Sequence, residues 1–202
     1  MLISCGADGE ESYPEFTYAD GKITSEDGTS YTPAPMGFQP CNAGKKCAVR
    51  DKYFDLYQLL DLDGKAIPKE EWMTEEYAGN ATSVYYGEGV ALPDFTKIAF
   101  SRCYVCEEDE TVNFVSETDD RTLIGSLIDR VANGEDSTGR LDDSKYAYTL
   151  KFFSEDYPGI FFSVDYIVYD DAAYLYSICN KKWAEATGML DGLIDLPEDT
   201  AN

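Results

Sequence analysis

The sequence predicts an α+β protein: an antiparallel β-meander or sheet with one main amphipathic helix packed across it, behind a β-rich N-terminal half. Three observations predict this. Apolar residues alternate through Ile160, Phe162, Val164, Tyr166 and Val168, the period of a strand with one buried face. Leu123, Ile124, Leu127, Ile128 and Val131 share one helical face between Asp119 and Ala132. The N-terminal half is rich in Tyr and Phe and punctuated by Asp-Gly pairs, which favour strands and tight hairpin turns respectively.

In chain order, residues 1–12 read as a polar tether. Phe16 to Thr24 form a hairpin around Asp20-Gly21, and Asp27-Gly28 makes a second turn. Pro33, Pro35, Gly37 and Pro40 punctuate a loop. Tyr53 to Leu60 form a strand, turned by Asp63-Gly64. Pro68-Lys69-Glu70-Glu71-Trp72 has the proline and acids of a helix first turn. Residues 78–94 are glycine-rich and expected to be irregular. A strand runs from Lys97 through Tyr104, and the acidic run Glu107 to Glu110 turns it into Thr111 to Val115.

The helix from Asp119 to Ala132 is capped by Thr118 or Asp119, and Gly134 follows its end, where a left-handed residue is favoured. Tyr146 to Phe152, Ile160 to Val168 and Tyr174 to Cys179 form the meander, with Ser163 and Asp165 on the face opposite the apolar series. A short final helix is expected near Trp183–Ile194. The domains are then 13–90, β-rich, and 91–195, α+β, compatible with one continuous unit; 196–202 is a polar tail.

Leu2-Ile3-Ser4-Cys5 precedes a small, polar, charged stretch, Gly6 to Ser12. This tetrapeptide resembles the lipobox of bacterial lipoproteins. The resemblance covers these residues alone. It implies cleavage before Cys5, acylation of its thiol, and an extracytoplasmic protein anchored by lipid at the cell envelope. The alternative is a cytoplasmic protein with one more thiol. The sequence has no apolar run of about 18 residues that would span a membrane, so membrane contact is expected only through the lipid.

The chain carries 39 acidic and 16 basic residues, a formal net charge of −23. Such a field repels nucleic-acid backbones and anionic bilayers. It keeps a protein soluble and suits a monomer, or else a basic partner. The one basic island, Lys45 to Lys52, reads as a loop running into a strand. There is no histidine, which removes the commonest general base and metal ligand.

Four cysteines, Cys41-x5-Cys47 and Cys103-x2-Cys106, could in principle supply thiolates to zinc. That candidacy is weak, because Tyr104-Val105 reads as mid-strand. A disulfide joining Cys41 to Cys47 across Asn42 to Lys46 is the preferred reading, fitting an oxidising compartment. Asp61, Asp63 and Glu70 fall at the third, fifth and twelfth positions of a calcium loop with Gly64 at the sixth. Leu59 stands where the first ligand belongs, so an Asp-Gly turn is preferred. Paired carboxylates could hydrolyse glycosides, but nothing singles out two.

The leading expectation is therefore a non-enzymatic envelope lipoprotein, without cofactor, binding a ligand or protein through an aromatic-rich β surface. The alternatives are an acidic antagonist of a basic protein, of immunity or inhibitor type, and a metal-dependent hydrolase.

Overall fold

The computed structural model describes residues 12–77, 80–107, 114–136 and 144–194. Asp20 and Gly21 both adopt positive φ, 51° and 79°, the geometry that matches a tight turn to the twist of its strands. They join β1 (Glu15–Ala19) to β2 (Lys22–Ser25). Next come β3 (Ser30–Pro33), β4 (Phe38–Pro40) and β5 (Asn42–Arg50). A turn with Asp51 and Lys52 at positive φ leads into β6 (Phe54–Leu60). β7 (Trp72–Tyr77) and β8 (Asn80–Gly87) complete this part. These strands, β4 apart, close a barrel in the order β1-β2-β3-β8-β7-β6-β5, sealed by a short parallel pairing of β1 with β5. Phe16, Ile23, Tyr31, Leu56, Met73 and Tyr85 fill it, as expected of a barrel whose interior is only wide enough for side chains.

After a 3₁₀ turn at Phe95–Lys97 come β9 (Arg102–Glu107), β10 (Phe114–Thr118) and α1 (Arg121–Ala132). Asp120 caps α1, its Oδ1 accepting from the amides of Thr122 and Leu123, two of the donors a helix start leaves unpaired. The chain ends through β11 (Glu135–Asp136), β12 (Tyr146–Phe153), β13 (Ile160–Val168), β14 (Ala173–Ser177) and β15 (Lys182–Glu185). The second sheet runs β10-β9-β12-β13-β14-β15-β11, and β4 pairs with the start of β13.

That β4 pairing welds the two sheets, because the same stretch of chain continues from β4 into barrel strand β5. One large core follows from it. Leu59, Trp72 and Val84 point outward from the barrel wall and join Phe38, Val105, Leu150, Phe152, Phe162, Val164 and Leu175 of the sheet. Ile124, Leu127, Ile128 and Val131 of α1 complete this cluster.

The α+β expectation is thus corrected. Of the described residues 51% are in strands and 9% helical, so the molecule is a mostly-β protein built from a closed barrel and a second sheet. The barrel wall, with α1 beside it, covers the apolar face that the sequence assigned to the helix. Alternation in sequence reports a buried face and not what buries it, nor whether a sheet closes on itself.

Smaller corrections follow. Pro68 to Glu71 form a turn into β7 rather than a helix, β8 occupies about half of the stretch expected to be irregular, and Trp183 lies in β15 rather than in a final helix. The expected strand at Lys97 begins only at Arg102. Ser163 is buried, since its amide and hydroxyl both donate to Gly37 O at 2.7 and 3.1 Å. A small second cluster of Tyr104, Cys106 and Phe161 covers that side of the sheet.

Candidate functional site

Within β14, Ala173, Leu175 and Ser177 are buried, which turns Tyr174 and Tyr176 to the outer face. Antiparallel pairing sets Trp183 of β15 opposite Tyr176 and Glu185 opposite Tyr174. Trp183 and Tyr174 stack diagonally, ring centroids 4.8 Å apart and planes 24° from parallel. Tyr176 and Tyr169 approach Trp183 at 6.1 and 6.4 Å, and Tyr169 meets Tyr174 edge-on at 5.8 Å. All four rings are half-buried. They form an aromatic platform centred on Trp183, and such rings carry much of the energy of binding surfaces.

The platform borders a groove of about 660 Å³ between the end of α1 and the edge of the sheet. Tyr174 and Trp183 line it together with Asp129, Arg130, Glu135 and Glu185. Arg130 Nη1 donates to the Glu185 carbonyl oxygen at 2.9 Å, fixing the helix against β15. Nearby cations are engaged: Lys182 Nζ lies 2.7 Å from Asp136 and Lys145 Nζ 2.7 Å from Asp170. The hydrogen bond from Lys182 holds the Asp136 carboxyl below the usual range.

The residues singled out in the sequence lie elsewhere. Cys5 falls outside the described residues. Cys41 and Cys47 are both unbridged: Cys41 precedes β5, whereas Cys47 sits inside it. Even with its register shifts, the intervening strand carries the two beyond disulfide reach. Cys103 faces the large core and Cys106 the small cluster behind it, so the two thiols leave β9 on opposite sides and cannot share a metal. Burial pushes the Cys41 thiol up to about 12, and it also raises those of Cys47, Cys103, Cys106 and Cys179. A protonated thiol is neither nucleophile nor ligand.

Asp61 is occupied by its own turn, Oδ1 accepting from the amides of Asp63 and Lys65 at 3.0 and 2.7 Å. Asp61 and Asp63 line a cleft of about 570 Å³ with Arg102 and Arg121, whereas Glu70 lines a different one of about 510 Å³ beside Trp72 and Ile160. The calcium constellation is therefore not assembled. Among the described residues no group of three or more Cys, Asp or Glu side chains is placed to hold a metal ion.

Two of the four cations of the basic island, Lys46 and Arg50, are absorbed by the barrel, while Lys45 and Lys52 are exposed. Lys46 Nζ lies 2.7 Å from Asp55. Arg50 forks onto Glu75 through Nε at 2.7 Å and Nη2 at 3.0 Å, with the Tyr85 hydroxyl donating to the same carboxylate at 2.9 Å.

The platform itself was not anticipated residue by residue. Alternation in Ala173-Tyr174-Leu175-Tyr176-Ser177 was its legible half; Trp183 was hidden by the expectation of a helix. Comparison with protein-family models, with curated proteins and with solved structures finds no match for the chain.

Proposed function

We propose that this chain is a lipid-anchored envelope protein that binds a ligand or protein without transforming it. The observation that carries the reading is the half-exposed aromatic platform of Tyr169, Tyr174, Tyr176 and Trp183 beside an open groove. Buried aromatics need no function beyond packing, but four rings gathered on the outer side of a sheet whose inner side is already packed form a contact surface. Absence of histidine and the upward-shifted thiols support binding over catalysis. The lipobox-like Leu2-Ile3-Ser4-Cys5 and its polar follow-on support the anchor.

The test uses the full native gene. Wild type is expected in the detergent-soluble membrane fraction, and Cys5→Ala in the soluble fraction. As bait in envelope extract, the Tyr174→Ala/Trp183→Ala variant is expected to lose the partner that wild type retains, while still unfolding cooperatively on heating at a somewhat lower midpoint. A double variant that keeps that partner overturns the platform as the binding surface.

A further inference from the structure

We infer that the groove beside the aromatic platform receives a lysine- or arginine-rich polypeptide segment; this rests on the platform being the binding surface. Three carboxylates, Asp129, Glu135 and Glu185, and one guanidinium, Arg130, line the groove with Tyr174 and Trp183. Of the neighbouring ammonium groups, Lys182 and Lys145 already lie against Asp136 and Asp170, while Lys181 is exposed in the turn between β14 and β15 and does not line the groove. An incoming anion would face excess negative charge, and a neutral ring would desolvate carboxylates without offsetting them. A cation meets both features at once. Tryptophan is the strongest cation–π acceptor among the side chains, and the carboxylates stand around it as counter-charge.

The acids are also spread out. Asp129 lies in the last turns of α1, Glu135 in β11 and Glu185 at the end of β15. Among the described residues no three acids converge to hold a single ion, whereas an extended basic segment can meet several while laying one side chain on Trp183. The net charge of −23 then steers such a segment in and weakens with salt.

The test titrates the whole soluble chain with a short synthetic peptide of alternating lysine and serine, by calorimetry and by tryptophan emission. Trp72 is buried and Trp183 half-buried, so a change in emission that disappears in Trp183→Phe reports the platform. The peptide is expected to bind, weakening steeply with added salt. Trp183→Ala is expected to lose about three- to tenfold in affinity. Glu135→Gln/Glu185→Gln is expected to lose more than the charge-matched Glu15→Gln/Glu26→Gln on the barrel, whose carboxylates are exposed and belong to the other sheet.

Equal losses in the two charge-matched variants would show general attraction to an acidic surface and overturn the inference. So would a platform that ignores the peptide, or one that takes a neutral oligosaccharide in its place. That last result leaves the platform standing as a binding surface; only the capture experiment with the double variant can remove it.

Discussion

Arg50 and Glu75 show how little a residue's sequence neighbourhood says about its role. In the sequence Arg50 belongs to a basic island; in the fold it forks onto Glu75, with side-chain exposures of 15% and 9%, and its guanidinium lies 4.0 Å over the Phe54 ring. Hydrogen bonding to Glu75 holds the guanidinium charged, its pKa raised further. Removing one member of such a pair strands the other charge. Arg50→Met is therefore expected to cost about 3 kcal/mol in urea unfolding. Arg50→Met/Glu75→Leu is expected to recover part of that, since no charge is then buried although the Tyr85 hydroxyl loses its acceptor. A double variant as unstable as the single one would show that packing by the arginine stem matters more than the pair. Cys103 and Cys106 teach the same lesson. A three-residue separation suits a metal knuckle, but on a strand it sends the two side chains to opposite faces.

Among the elements, α1 was legible because twelve residues give the helical period room to repeat, and four of its anticipated face residues are buried. β15 was not, because four residues are too few to show alternation, and the turns after it resemble a broken helix. The end of α1 is a subtler case. Gly134 looks like a left-handed cap, yet the structure gives the C-cap to Asn133 at φ −100°. Gly134 serves a close approach instead: a Cβ there would lie 2.6 Å from Trp183 O, where the chain passes from α1 to pair with β15. Gly134→Ala is expected to destabilise by about 1–3 kcal/mol and to shift Trp183 emission, because β15 must move. Gly125, on the exposed side of the same helix, has nothing within 4 Å of its would-be Cβ. Gly125→Ala is expected to stabilise by about 0.5–1 kcal/mol, with emission unchanged. Melting both variants checks the pair; equal stabilisation would mean that β15 yields freely at Gly134.

On the scale of the whole molecule, composition revealed the acidic surface and the want of histidine, but not the barrel, whose closure depends on pairings such as β1 with β5 that lie far apart in sequence. The shared core has a consequence for pH. Thiols lie half-buried in the barrel at Cys47 and behind the sheet at Cys41, and fully buried in the shared core at Cys103 and behind the sheet at Cys106, and burial raises the pKa of each. A raised thiol stays protonated in the fold after it has ionised in the unfolded chain. Its contribution is complete below the unfolded value of about 8.5 and is lost as pH climbs beyond it. For Cys103, fully buried, one unit above that value costs about 1.4 kcal/mol. Burial lowers the pKa of Lys151, which has the opposite sign and adds stability toward alkaline pH, but it is one group against several. Tyr31, Tyr85 and Tyr166, raised chiefly by burial, extend the loss above about pH 10. The urea midpoint of the reduced protein is therefore expected to hold level up to about pH 8 and to fall steadily beyond it. Because barrel and sheet share one core, circular dichroism and tryptophan emission are expected to trace the same transition at each pH. A midpoint that rises from about pH 8 to 10 would show that Lys151 outweighs the thiols, and separate transitions would show that β4 does not bind the two sheets into one cooperative unit.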